Sequence, residues 1–423
     1  MFTIVYPKQS LKGAVYPAVS LQYKLWRSGN FHPLATESTE GAEELVIRER
    51  DGMEKGRFFA RREGEKLLVE AGDLFGFLAA ADYLTKDLFN DGTSELPTVD
   101  YVGNYMGEML DRKTSAYRMM FHNVWTHDAF DDDGAIFGVT GAAYEVAEIL
   151  TYRPDVVGLN EFSDAWREET DLVELLRANG YEEVKPVNDE REMVNTLFYN
   201  VETVQPAKGS CRYYSYGELQ MQNGVATNES GSYYSEDADC RERSALVVTF
   251  ESKISGKRFT VCVTHLESNA FVVPQNARGG NPLREEQIEK KLLPFLINYR
   301  NTWGAPIFVG GDFNSWASYD SWGIDRVGAC RVLEQNGFRD TYRASLDRST
   351  PCSTHGYPIF CEALDAYVDF DASLRDNYEC SQDHIYLRDT ADTVGEVTYR
   401  NLSEKTILCT SDHCPVMLDF YLI

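Results

Sequence analysis

The apolar run Ala305-Pro306-Ile307-Phe308-Val309 ends in Gly310-Gly311-Asp312-Phe313-Asn314. Two small residues close a strand-like stretch, and an acid and an amide follow with one residue between them. That pair is too polar for a core. Two further stretches carry complementary groups: Ser381-Gln382-Asp383-His384-Ile385 and Ser411-Asp412-His413-Cys414-Pro415. Taken together, the carboxylates and imidazole point to hydrolysis of a phosphate ester assisted by a divalent cation.

The same ending recurs on other apolar runs. His122-Asn123 follows Met119-Met120-Phe121, Asn160-Glu161 follows Val156 to Leu159, and His265 follows Val261 to Thr264. Polar residues at the ends of buried strands gather along one sheet edge, where a ligand can reach them. Taken singly, each has an ordinary reading: Asp-x-Asn as a turn or cap, Ser-Asp-His as a surface loop, His265 as a core histidine. Their joint occurrence makes a constellation. Hydrolysis of a phosphoester needs a water in line with the leaving oxygen and positive charge against the phosphate oxygens. Three acids and two histidines around one pocket can supply this.

The elements that must position these groups follow from periodicity. From Tyr117 to Ile423, short apolar runs alternate with helical patterns over Ala142 to Leu150, Asp164 to Asn179, Arg284 to Asn298 and Val327 to Asn336. Strands mixed with helices predict two sheets face to face with helices outside. The stretch Lys208 to Asp239, rich in Gly, Ser, Tyr, Asn and Glu, reads as a long insertion or hairpin near the site. Residues 1–100 read as a separate small α/β domain: strands at Phe2–Tyr6 and Glu44–Ile47, a hairpin from Gly56–Arg61 and Lys66–Glu70, and helices over Ala14–Trp26 and Leu74–Phe89. Residues 101–116 form the linker and 117–423 the catalytic domain. The length of 423 residues agrees with two domains.

The net charge is −26. Such a field repels polyanions at long range, whereas an ordinary nucleic-acid binder offers a basic face, so nucleic acid is disfavoured as substrate. The nine cysteines all fall from Cys211 onward, with no C-x-x-C pair, which argues against a zinc finger. Cys352, Cys361 and Cys380 could supply one bridge, and the rest read as reduced core thiols. The N-terminal residues lack a secretory pattern, and no apolar run approaches the ~20 residues of a membrane span. A soluble cytoplasmic protein is expected, or a secreted one whose signal peptide has been removed, without a transmembrane segment.

The motifs from Tyr117 onward resemble those of the endonuclease/exonuclease/phosphatase superfamily, which shares the deoxyribonuclease I fold, and they occur in the family's order. The resemblance implies a four-layer α/β/β/α sandwich preceded by the small α/β domain. It also implies a metal-dependent phosphoester hydrolase. By motif position, Glu161, Asp412 and Asn123 are the implied metal residues, for Mg²⁺ with Mn²⁺ as substitute. Asp312 and Asn314 orient or deprotonate the attacking water, His413 contacts the scissile phosphate with Asp383 as its partner, and His265 contacts a phosphate oxygen or aids the leaving group. Asn160 replaces the family's usual Gln, and its shorter amide is expected to reach differently. Trp125 stands where abasic-site endonucleases carry an acid, which argues against that branch.

Three function classes compete: a phosphodiesterase or phosphatase on a small, lipid-like or sugar-linked phosphate; a nuclease; and a non-catalytic binding module. Charge and Thr264-His265-Leu266 favour the first. The 1–100 layout resembles accessory α/β domains of several glycoside hydrolase families, which implies glycan contact. His122, His127, His384, Asp340, Arg284 and Gln287 read as structural and Asp131-Asp132-Asp133 as a solvated loop. Tyr213, Tyr214, Tyr216, Tyr233 and Tyr234 read equally as cleft or as packing.

Overall fold

The computed structural model describes residues 2–7, 13–30, 32–93, 95–105, 116–124, 142, 145–146, 148–168, 170–186, 194–216, 220–222, 225–227, 233–234, 243–266, 284–285, 287–315, 328–345, 358–361, 366–369, 381–402, 411 and 413–423. Trp125, His127, Asp128, Asp131–Asp133, Cys352, Cys380 and Asp412 lie outside them.

The first sheet runs in the order Leu34–Ala35, Thr3–Val5, Glu44–Glu49, Lys66–Ala71, Arg57–Glu63, Asp100–Asn104. Its first three junctions are parallel and its last two antiparallel. The strand Asp100–Asn104 pairs with Arg57–Arg61, so this sheet takes in residues expected in the linker 101–116. Asp73 caps the helix Leu74–Asp82 by accepting from the Gly76 N–H at 2.8 Å, and a wider turn, Tyr83–Leu88, prolongs it.

Two further sheets stack on each other. One orders Val394–Asn401, Val416–Leu422, Tyr117–Asn123, Val156–Asn160, Thr196–Asn200, Tyr181–Glu183. The other orders Val204–Pro206, Ser244–Ser252, Arg258–His265, Ile307–Asp312, Asp383–Arg388, Arg339–Asp340, with Arg212–Ser215 also on Ser244–Ser252. Strand alternation sorts the side chains into layers. Met119, Phe121, Leu246, Val248, Phe308 and Phe420 fill the space between the sheets. Ala245, Val247, Val309 and Tyr386 face outward onto Leu293, Leu296 and Leu333 of the helices Leu293–Trp303 and Gly328–Gln335. On the opposite outer face Met120, Val157 and Leu159 meet Val146, Ile149 and Leu150. Helices, sheet, sheet and helices make the four-layer α/β/β/α sandwich, with central strands buried on both faces and accordingly rich in apolar residues.

The outer core beside Met120 continues without a break into the first unit, through Leu21, Leu25, Phe75 and Phe77. The Arg153 guanidinium also lies over the Phe75 ring, 5.5 Å from its centroid.

The helix expected over Asp164–Asn179 is two, Asp164–Glu168 and Leu172–Ala178. Thr170 explains the break: its hydroxyl donates to the Trp166 carbonyl at 2.6 Å and accepts from the Leu172 N–H at 3.3 Å. One side chain thus takes a carbonyl from the first helix and an amide from the second. Cys211, Cys262, Cys330 and Cys414 are buried thiols. Among the described residues no helix is long and apolar enough to cross a membrane.

Candidate active site

Two central strand pairs are parallel: Tyr117–Asn123 with Val156–Asn160 in one sheet, and Arg258–His265 with Ile307–Asp312 in the other. Their C-terminal ends therefore share an edge, and Asn123, Asn160, His265 and Asp312 close them. The antiparallel neighbours Asp383–Arg388 and Val416–Leu422 start at that edge, which brings in Asp383 and, just ahead of the second, His413. Topology alone thus gathers residues separated by almost 300 positions.

Small residues let the sheets approach beneath this edge. A Cβ on Gly310 would stand 2.4 Å from the Phe121 ring, and one on Gly158 2.5 Å from it, so both glycines make room for that ring. Gly311 is tighter. It has φ +124°, and a Cβ there would meet the Thr264 carbonyl oxygen at 2.3 Å and Asn160 Oδ1 at 2.6 Å. Gly311→Ala is expected to cost about 2–6 kcal/mol, from backbone strain and overpacking together. Urea denaturation checks it, and a change within about 0.5 kcal/mol would show that the backbone relaxes there.

Asn160 ties the sheets together. Its Oδ1 accepts from the Asp312 N–H at 2.9 Å, and its Nδ2 donates to Asn195 Oδ1 at 2.8 Å and to the Thr264 carbonyl at 3.1 Å. The shorter amide thus reaches the backbone of Asp312.

The polar side chains converge on Asp312. Asn123 Nδ2 donates to Glu161 Oε1 at 3.0 Å and to Asp312 Oδ2 at 3.1 Å. The Asn314 N–H donates to Asp312 Oδ1 at 2.7 Å, and its side-chain amide donates to the Leu266 carbonyl at 3.0 Å. His265 Nε2 lies 3.2 Å from Asp312 Oδ2 and 3.8 Å from Glu161 Oε1. His413 Nδ1 donates to Asp383 Oδ2 at 2.7 Å, which turns Nε2 toward Asp312 Oδ2, 3.8 Å away. Of the residues expected at the site, Asn123, Glu161, His265, Asp312, Asn314, Asp383 and His413 are brought together; Asp412 lies outside the described residues.

Two of these residues adopt left-handed backbone, Glu161 at φ 58° and Asn314 at φ 48°. Asn tolerates this conformation; Glu does so at a cost. Neighbouring bonds impose it on Glu161: Phe162 N–H to Val194 O at 2.8 Å on one side and Val124 N–H to Asn160 O at 3.0 Å on the other.

Burial works against ionising Asp312, yet His413, His265 and the Asn314 N–H outweigh it and hold the carboxyl well below the usual range. Glu161 is likewise opposed by burial, but His265, Asn123, Arg243 and His413 hold its carboxyl below the ordinary value. Both are anionic at neutral pH.

The sequence reading missed Arg243. Its Nη1 lies 2.7 Å from His265 Nδ1 and 2.8 Å from Nε2. A guanidinium only donates, so the nitrogen it bonds accepts, and the other can donate to Asp312. The available signal was position: Ser244 pairs with His265 across two strands, which places the preceding Arg243 at the site edge. Asp340 caps the helix Thr341–Ala344, accepting from the Tyr342 N–H at 2.9 Å, and His384 is buried against the Ser315 carbonyl at 2.7 Å. Tyr213 and Tyr216 are core residues and Tyr214 stacks on Phe295 at 4.5 Å, so these three pack.

The donor set suits a hard divalent cation. Two carboxylates converge on the Asn123 side-chain amide, and carboxylate oxygen is the ligand type such a cation takes while keeping several waters.

No protein of curated function matches the sequence. Among solved structures, similarity is found to an endonuclease/exonuclease/phosphatase from Bacteroides vulgatus, at 18% identity over 73% of this chain and 100% of that one, TM-score 0.49. It is also found to the human Nocturnin catalytic domain with bound sulfate, at 18% identity over 75% and 99%, TM-score 0.47. A mannosyl-6-phosphatase from Bacteroides thetaiotaomicron matches at 14% identity over 72% and 100%, TM-score 0.46. The sequence profile of the Endonuclease/Exonuclease/phosphatase family matches residues 138–413, well over half of the chain, and the chain belongs to that family.

Proposed function

We propose that this protein is a Mg²⁺-dependent phosphoester hydrolase acting on a small, lipid-like or sugar-linked phosphate. The observation that carries the reading is the convergence of two anionic carboxylates, Asp312 and Glu161, with two histidines, His265 and His413, at one sandwich edge. The net charge of −26 favours a small substrate over a polynucleotide.

Glu161 and Asn123, with Asp412 assigned from its motif, would hold the cation, and Asn123 would turn its amide to offer the oxygen where Nδ2 now stands. When bound, the cation offsets charge building on the phosphate oxygens. Asp312 and Asn314 hold the attacking water. The ionised Asp312 carboxylate accepts a hydrogen bond from the water and so orients or deprotonates it. Asp383 takes the His413 Nδ1 proton in a hydrogen bond, and a second proton on Nε2 would donate to the phosphate. With substrate bound, Arg243 would donate to a second phosphate oxygen, and the His265 N–H would turn from Asp312 to the same oxygen. Such positioning and electrostatics supply most of the barrier reduction in phosphoryl transfer.

The test is hydrolysis of bis-p-nitrophenyl phosphate, p-nitrophenyl phosphate, sphingomyelin, inositol phosphates, plasmid DNA and RNA with Mg²⁺ or Mn²⁺. Turnover of a small ester that stops with EDTA and returns with Mg²⁺ is expected. Preference for DNA or RNA would replace the substrate class with a nuclease. Silence on every substrate, together with no Mn²⁺ binding in calorimetry, would leave the binding-module reading.

A further inference from the structure

His122 precedes the site residue Asn123 and points the other way. Strand alternation sends Asn123 to the site and His122 with Met120 to the outer face, toward the helical residues within 142–152. Both His122 and Glu145 of that helix are fully buried. The two ring nitrogens of His122 have separate acceptors: Nδ1 is 2.6 Å from Glu145 Oε2, and Nε2 is 3.0 Å from the backbone carbonyl of His413. A ring that donates to both carries both protons, and its bond to Glu145 is charge-assisted.

His122, Glu145 and Glu148 also lie close enough to suggest a cation site. The 2.6 Å separation argues for a hydrogen bond instead, because two ligands about 2.1 Å from one ion stand roughly 3 Å apart even at right angles.

The same strand end secures the other side of His413. The His413 N–H donates to Ser411 Oγ at 3.0 Å, and that hydroxyl donates to the Asn123 carbonyl at 2.5 Å. Residues 122 and 123 thus grip the amide and the carbonyl of the residue whose ring faces Asp312.

We propose that His122, anchored by Glu145, is a positioning residue that fixes the main chain of His413 and so aims its imidazole. The proposal rests on the phosphoester-hydrolase reading for its kinetic consequence, but the clamp itself can be read without turnover. In the His122→Gln variant the side-chain amide takes the place of Nε2 and can still donate to the His413 carbonyl. In His122→Asn the amide takes the place of Nδ1, toward Glu145, and that donor is lost.

The experiment uses the full chain with bis-p-nitrophenyl phosphate and Mg²⁺. His122→Asn is expected to lower kcat about 10- to 100-fold with little change in KM, since a misplacement near 1 Å costs about that much. His122→Gln should restore most of kcat, although both variants lose thermal stability. Equal kcat per folded molecule in the two variants would overturn the proposal and leave His122 as packing. A second readout needs no substrate: carbonyl-¹³C-labelled histidine, with the His413 resonance assigned by its loss in His413→Gln. A shift of that resonance in His122→Asn but not in His122→Gln sustains the clamp. The same shift in both, or in neither, sinks it. A wild-type enzyme silent toward every phosphoester would refute the hydrolase reading alone, and the carbonyl shift would then decide the clamp.

Discussion

Asp312→Asn is expected to lower kcat about 10³-fold or more, within the range measured when one positioned charged or hydrogen-bonding group is removed from an active site. The substitution keeps size and shape, so the loss isolates charge. Asp312 is where the site's interactions meet: Asn123, Asn314, His265 and His413 all address its two oxygens. An amide presents its NH₂ to some of these donors and repels them, so the water is misaligned and both histidines lose their anionic neighbour. The carboxyl of Asp312 is held far below the ordinary 3.8, and so it remains ionised throughout the range in which most enzymes are assayed. The Asp312 carboxyl therefore adds no pH dependence of its own to the deficit between about pH 5 and pH 9, and any slope there comes from the two histidines. Steady-state kinetics over that range, with the folded state checked by circular dichroism, reads the result. A variant within about tenfold of wild type would remove Asp312 from the water-holding role.

The second large effect is expected at His413 and its partner. His413→Gln should lower kcat about 10²- to 10⁴-fold, the usual contribution of a positioned acid–base group. Asp383→Asn should cost a substantial share of that without touching the substrate. Asp383 accepts from His413 Nδ1 at 2.7 Å and is itself buried. An asparagine there lacks the charge that favours a second proton on the ring and can turn its NH₂ toward Nδ1, which then becomes the acceptor, so the ring meets the phosphate neutral. Because the two residues act as a unit, the double variant should be hardly worse than His413→Gln alone. Full additivity of the two losses would mean that Asp383 acts elsewhere.

Much of this site was legible as residue types at the ends of apolar runs. Asp312-Phe313-Asn314, Asn160-Glu161 and Ser411-Asp412-His413 stand out because a buried strand has no use for a carboxylate or an imidazole unless something meets it. Strand period carries further information: Phe121 inward and Met120 outward also fix the opposite directions of Asn123 and His122. Local chemistry misled in one case. Asp164 to Asn179 has a continuous helical pattern, but Thr170 competes for backbone groups on both sides and divides it.

The sequence by itself determined the two-sheet class, the family and the chemical kind of the site, because alternation and strand-end polarity are properties of short segments. Only the tertiary structure decided which groups touch. Arg243 reaches His265 because two strands pair in one register. Asn160 reaches Asp312, and His122 reaches His413, because the chain returns after 152 and 291 residues to the same edge. Glu161 takes its left-handed backbone from the bonds around it rather than from its own preference. Side-chain type is a local property, whereas distance between segments depends on how parallel and antiparallel strands are ordered, and no single segment contains that order.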